Sequence, residues 1–237
     1  AERYANDKGI SFTSLGSQNI QIKVGNNATA TVDGDTITIT GTGETYDAGV
    51  NWSSIDQDKI EKIIFEGNIT YLGEASFSGF KNVTQVELPD SLNKIGSFAF
   101  SHCYSLKNIT IPEGVTEMEE NVFYNCSSLA EISLPGTLKK IPFLGGLYDD
   151  ITGENKGLPI ETIVLNDGIK VIGVDAFFNL NKLTNISLPD SITKIEDDAF
   201  SNCVSLNKIE LPSKLVLLGE NVFANCNAEI IFPASLK

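Results

Sequence analysis

Apolar side chains return along most of this chain at a fixed interval. From Ile60 the sequence divides every 23 residues, at Val83, Leu106 and Leu129; after one enlarged unit the division resumes at Ile160, Leu183 and Leu206. With the positions of each unit numbered from 1, column 4 reads Ile63, Val86, Ile109, Ile132, Ile163, Ile186 and Ile209. Column 6 reads Phe65, Leu88, Ile111, Leu134, Leu165, Leu188 and Leu211, and column 13 reads Leu72, Ile95, Met118, Ile141, Ile172, Ile195 and Leu218. Column 18 is Phe77, Phe100, Phe123, Phe177, Phe200 and Phe223, and only the enlarged unit lacks it.

Columns 4 and 6 are two residues apart, which is strand period with both side chains on one face. Proline follows in column 7 in most units (Pro89, Pro112, Pro135, Pro189, Pro212). It removes a ladder donor and ends the strand. Turn residues come next, and then a second short extended stretch at columns 10 to 13. Columns 14 to 20 read as a brief helix whose start carries Glu74, Glu119, Glu120, Asp175, Asp197, Asp198 and Glu220. Negative charge is favoured at a helix N-terminus, so part of the acidity has a structural explanation. A single unit cannot bury its apolar edge, but stacked units can, each column packing on itself in a ladder. The phenylalanines then form a spine inside the coil.

Residues 1–59 do not fit the repeat. In "TATVDGDTITIT" (29–40), Val32, Ile37 and Ile39 alternate around Asp33-Gly34, which is a hairpin signal. The expected organisation is therefore an N-terminal β-rich cap at 1–59 and a solenoid at 60–237. That solenoid has about seven repeats, an enlarged fourth unit with a loop at 142–159, and a partial closing repeat in "EIIFPASLK" at 229–237.

The unit L-x-x-I-x-L-P-x-x-[IL]-x-x-I-x-x-x-A-F-x-x-C-x-x-L resembles the BspA-like leucine-rich repeat. "DGDTITITGTG", Trp52 and "IEKIIFEGNITYLGEASFSG" are similar to the cap and first repeat of that family. Glu66 and Asn166 in the proline column, and the enlarged unit, are the departures. The resemblance implies a leucine-rich-repeat solenoid of α/β class: a right-handed coil of 23-residue repeats with a parallel strand ladder on the concave face, short convex helices and an N-terminal β-hairpin cap. It also implies export to a bacterial cell surface, and for some members adhesion to host or matrix proteins. The family has no characteristic active site.

Composition narrows the partners. Lys and Arg total 17 against 31 Asp and Glu, a formal charge of −14. Such a surface repels phosphate backbones, so no nucleic acid is expected. No apolar run approaches the roughly 20 residues of a membrane helix, so no transmembrane segment is expected. Ala1 opens the chain without a charged-then-apolar leader, as in a mature chain whose signal peptide has been removed; an extracellular or cell-surface place is expected on the resemblance.

Chemical groups are few. Cys103, Cys126, Cys203 and Cys226 all stand in column 21, and units 1 and 5 put Phe80 and Leu180 there. Buried free thiols are favoured; a bond between neighbours in adjacent coils is open by distance. Two like-facing thiols without a histidine pair do not make a zinc site. His102 stands in a column of Asn125, Asn179, Asn202 and Asn225, where a side chain capping the helix end is expected. It has no Ser or Cys partner, so catalysis is unsupported. No cofactor or metal is expected; a calcium site from Asp149, Asp150 and Glu154 lacks the EF-hand spacing.

Two surfaces are candidates for binding. The first is the enlarged unit "PFLGGLYDDITGENKGLP", with Phe143, Leu147, Tyr148, Asp149 and Asp150. Insertions in repeat arrays emerge as loops and often bind. A plain connector, with Phe143 or Leu147 filling the gap in the phenylalanine column, is slightly favoured over this. The second is the concave face of columns 3 and 5, including Gln85, Glu87, Asn108, Glu131, Asn185, Lys208 and Glu210, a mild polar surface without aromatic anchors. The expected function is a non-enzymatic exported or surface module, monomeric, that binds a host or matrix protein or a glycan. A spacer displaying another domain is the alternative, and an enzyme the distant one.

Overall fold

The structure is a computed structural model and describes residues 19–47, 50–148 and 155–234. The chain winds into a β-solenoid of about eight turns. Strands β1 (Ile20–Lys23), β2 (Gly25–Asp33) and β3 (Thr36–Thr45) are antiparallel, with Asp33 paired to Thr36. The loop is thus Gly34–Asp35, one residue later than the Asp33-Gly34 expected, with Gly34 in the left-handed region that a two-residue hairpin loop demands (φ 60°).

From β3 onward the pairing is parallel, save for one hairpin in the enlarged unit. The first half of β3 lies beside β4 (Lys62–Phe65) and its second half beside β5 (Asn68–Leu72). Two ladders start there. One wall holds the column 3 to 6 strands: Gln85–Glu87 pairs with Lys62–Phe65, Asn108–Thr110, Glu131–Leu134 and Thr162–Leu165 form a second run, and Lys208–Glu210 pairs with Glu229–Ile231 and bridges to Asn185. The other holds the column 12 and 13 strands in two runs, Asn68–Leu72, Lys94–Ile95 and Glu117–Met118, then Lys140–Ile141, Val171–Ile172, Lys194–Ile195 and Leu217–Leu218. Between them the column-10 N–H donates to the column-7 carbonyl, as Leu92 does to Pro89 at 3.0 Å. The proline column therefore makes the corner that its chemistry predicts.

The short convex helices do not form. Among the described residues the one helical element is a 3-10 turn at Gln57–Lys59. Columns 14 to 20 are successive turns, and their donors alternate between two uses. Ser76 and Ser78 donate within the coil, to Gly73 and Ala75. Ala75, Phe77 and Gly79 donate instead to Ser97, Ala99 and Ser101 of the next coil, at 2.9–3.0 Å. An α-helix would use every one of those donors internally. The alternation requires left-handed residues, and they fall in two columns. Column 16 has Ala75, Phe98, Asn121, Asp175, Asp198 and Asn221 at φ 51–61°; column 20 has Gly79, His102, Asn125, Asn179, Asn202 and Asn225 at φ 56–85°. Asn, Asp and His tolerate this region best. The asparagine column, and His102 in it, thus sets a backbone conformation; there is no helix end to cap.

The acidic residues read as helix-start charges do other work. The Glu119 carboxylate accepts from both the N–H and the hydroxyl of Ser97, each at 3.0 Å, and Asp197 accepts from the Glu220 N–H at 2.8 Å. They join one coil to the next.

The spine is continuous on each side of the enlarged unit and buried except at Phe223, which is half-buried. Ring centroids are 5.9 Å apart for Phe77–Phe100, 6.3 Å for Phe100–Phe123, 5.1 Å for Phe177–Phe200 and 5.6 Å for Phe200–Phe223. At the N-terminal end Trp52 lies 5.1 Å from Phe80 and 5.7 Å from Phe77, and its indole N–H donates to the Ser76 carbonyl at 2.9 Å. Phe200 is fully buried between two ring neighbours. Phe200→Ala is expected to lower stability by about 3–5 kcal/mol, read as a reduced urea midpoint. An unchanged midpoint would contradict a stacked spine.

Candidate functional site

The strand-face residues expected to bind stand together in two groups. Gln85, Glu87 and Asn108 line one open depression of about 420 Å³, with Asp90, Thr110 and Pro112. Asn185, Lys208 and Glu210 line a second, of about 280 Å³, with Ser187. Glu131 lies between them on the same ladder, in register with Asn108 and Thr162. All seven are exposed, because odd columns of the strand point away from the buried columns 4 and 6. Two pairs already engage one another: Gln85 donates to Glu87 at 2.5 Å, and Lys208 meets Glu210 at 2.5 Å.

The enlarged unit belongs to a different wall. Its ends pair as an antiparallel hairpin, Gly146–Tyr148 against Asn155–Gly157. The hairpin replaces a coil in the turn ladder: Asn121, Phe123 and Asn125 donate to Phe143, Leu144 and Gly146 at 2.8–3.0 Å. Gly145, at φ 128°, lets the backbone come this close, since a Cβ there would sit 2.8 Å from the Tyr124 nitrogen. Phe143 and Leu147 are half-buried; the side chains fully buried in this segment are Leu144 and Leu158. Neither Phe143 nor Leu147 replaces the missing spine ring outright. Tyr148 ends the first hairpin strand, while Asp149, Asp150 and Glu154, with the calcium reading they carried, lie outside the described residues. Phe143 and Leu147 line neither strand-face depression.

A third surface was not anticipated. Phe98, His102, Tyr104 and Tyr124 form a connected aromatic patch on the turn wall of coils 2 and 3. Ring centroids are 5.9 Å apart for Phe98–Tyr124, 5.7 Å for Tyr124–His102 and 5.9 Å for His102–Tyr104, all edge to face. Asn125 contacts the His102 ring at 3.2 Å. The signal was available in the sequence but dispersed over four columns that elsewhere hold mostly Ala, Asn, Asp, Ser or Gly.

The model of the BspA-type leucine-rich repeat region matches six copies across residues 53–143 and 155–237, most of the chain. The chain belongs to the BspA-type leucine-rich repeat family. No curated protein matches it. Three solved structures are similar. A leucine-rich repeat protein of T. pallidum is 22% identical over 81% of this chain and 82% of its own, with a TM-score of 0.48. A leucine-rich cell surface protein of Faecalibacterium prausnitzii is 15% identical over 93% and 97%, TM-score 0.43. The pneumococcal vaccine antigen PcpA is 18% identical over 94% and 83%, TM-score 0.39.

The cysteines of this BspA-type repeat are free. Each thiol donates to the carbonyl of the phenylalanine one coil back: Cys126 to Phe100 and Cys203 to Phe177 at 3.1 Å, Cys226 to Phe200 at 2.8 Å. Burial pushes the Cys103 and Cys203 thiols up to about 12 and raises the other two. Thiolate is the reactive form, so a buried thiol of that kind is inert. With a thiol-specific disulfide reagent at pH 8, the folded protein is expected to react slowly, half-buried Cys226 first. In denaturant all four should react without prior reduction. Fewer than four would reveal a bond.

The second ladder carries charge instead. Lys140 and Lys194 both meet the Glu196 carboxylate, at 2.5 and 2.6 Å, and Glu196 is largely shielded. Burial alone would raise the Glu196 carboxyl, but the two lysines together outweigh it and hold it below the usual range. A carboxyl depressed in the fold stabilises above its unfolded pKa, about 4.3, and that contribution is lost as pH falls through the folded value. Glu196→Gln is therefore expected to lower the melting temperature at pH 7. The difference from the native chain should shrink toward zero below the carboxylate range. A pH-independent difference would refute the linkage.

Proposed function

We propose that this chain is a non-enzymatic interaction module, exported or held at a bacterial surface, that captures a protein or glycan ligand. The observation that carries the reading is the strand face. Seven exposed polar side chains recur on one strand wall, six of them lining two shallow depressions too open to enclose a small substrate and Glu131 standing between. Open sites of this kind gain affinity from many weak contacts along an extended ligand. The family suggests protein interaction, and the hairpin of the enlarged unit offers a second contact on the adjoining wall. The antiparallel hairpin of β1–β3 and Trp52 act as the cap of the solenoid, so residues 1–59 serve stability while 60–237 present the surfaces. The module works as a monomer and needs no cofactor.

The two surfaces can be tested separately. Immobilised protein is exposed to host matrix proteins and mucosal glycans. One variant replaces 142–159 with the regular segment of a neighbouring repeat; another carries Gln85→Ala, Asn108→Ala, Asn185→Ala and Lys208→Ala. The strand-face variant is expected to lose capture at an unchanged melting temperature, and the segment replacement to weaken capture without lowering stability. Intact capture by the segment variant would make the hairpin a connector. Intact capture by both would sink the assignment of these surfaces.

A further inference from the structure

We propose that Phe98, His102, Tyr104 and Tyr124 form a docking patch for a guanidinium- or ammonium-bearing segment of a partner protein. It rests on the interaction-module reading but places a contact on the turn wall, away from the strand face.

The first argument is strain. Phe98 sits at φ 58°, where its column-mates are Ala, Asn or Asp. A bulky side chain in that conformation is an outlier that persists only when something else holds it. The same φ recurs in column 16 of the other regular coils, so what is particular to this one is the bulky side chain, and strain held there points to function at that place. The second argument is contiguity. Four rings touch in a chain, edge to face, across two coils, and Tyr104 is 38% exposed at its end. Ring faces of this kind attract cations through the quadrupole of the π system.

The third argument is charge. The chain carries −14, and the same wall gathers carboxylates: burial raises the Asp175 carboxyl, and Asp198 and Glu120 lie near enough to raise it further. Glu120 is exposed and adjoins Asn121, the column-mate of Phe98 in the next coil. Two of the neighbouring lysines are already paired, Lys81 with Asp58 at 3.7 Å and Lys94 with Glu119 at 2.7 Å, while Lys107, three residues after Tyr104, is exposed. Aromatic faces within an acidic surround suit an arginine- or lysine-bearing segment, and they disfavour an anionic one.

The test returns the four positions to what other coils carry: Phe98→Asn, His102→Asn, Tyr104→Ser and Tyr124→Ser. None of these changes the formal charge. The probe is a nona-arginine peptide, titrated calorimetrically at physiological salt, with cellohexaose as a neutral glycan. The native chain is expected to bind the peptide and the variant to bind it roughly tenfold more weakly or worse, at about two- to fivefold per ring. The melting temperature of the variant should not fall. Equal peptide binding by both chains would mean general attraction to an acidic surface, and would overturn the proposal. So would cellohexaose binding that the variant loses in place of peptide binding. A lower melting temperature would show that the rings serve packing. Should the fourfold variant not fold, Tyr104→Ser alone, at the exposed end, must weaken peptide binding for the proposal to stand. Failure here leaves the strand-face and hairpin captures unaffected, so the two readings fail separately.

Discussion

A backbone N–H that leaves water must find a carbonyl, and on the turn wall of this chain every second donor finds it one coil away. Phe77 reaches Ala99, Phe100 reaches Val122, Phe177 reaches Ala199 and Phe200 reaches Val222, at 2.9–3.0 Å. These residues are also the spine. The bonds therefore fix the separation of the coils at the positions where the largest side chains must stack. Alternating donors cannot come from a right-handed helical path, so left-handed residues recur in columns 16 and 20. The phenylalanine carbonyls of the same wall receive the thiols of column 21, that of Phe177 also accepting the Leu180 N–H. One demand on the backbone thus explains the asparagines and the missing helices together.

The enlarged unit obeys that demand by another route. A longer segment that simply left the wall would strand the donors of Asn121, Phe123 and Asn125. The hairpin brings its own carbonyls to them at Phe143, Leu144 and Gly146. Gly146–Tyr148 in turn pairs antiparallel with Asn155–Gly157. Leu144 and Leu158 are buried at its base, restoring apolar bulk where the phenylalanine is absent. The described part of the insertion thus supplies acceptors to the coil before it.

The fold was legible because burial repeats. Columns 4, 6, 13 and 18 hold one kind of side chain in nearly every unit, and each meaning is fixed by period alone. Columns 14 to 20 misled because their signals are ambiguous locally. Acidic residues beside asparagines suit a capped helix as well as a left-handed turn, and only the neighbouring coil decides. Glu119 shows this: its partners Ser97 and Lys94 are both in the preceding repeat. The candidate surfaces divided in the same way. The odd strand columns were found because strand period predicts their exposure. Phe98, His102, Tyr104 and Tyr124 were missed because each stands in a different column, and reading down columns treats each as a single deviation. Contact between rings is a property of stacking, which the linear text does not display.

Deviation from the repeat then separates into two kinds. The hairpin departs from the pattern yet supplies acceptors to the coil before it and covers its apolar neighbours, so packing alone can account for it. Phe98 departs with compensation that comes chiefly from a neighbouring ring, Tyr124. A phenylalanine held left-handed costs roughly 1–2 kcal/mol, and the same turn closes around Ala75, Asn121 or Asp198 in other coils. Edge-to-face contact with Tyr124 returns about 0.5–1.5 kcal/mol, comparable to the cost and not clearly above it. A ring that only breaks even for stability, on a wall where smaller residues suffice, is the kind of position where selection for an external contact can act without weakening the scaffold. In an array whose interior is so strictly repeated, variation is confined to exposed positions, the odd strand columns and irregularities such as Phe98 among them, because the columns that build the coil are not free to vary.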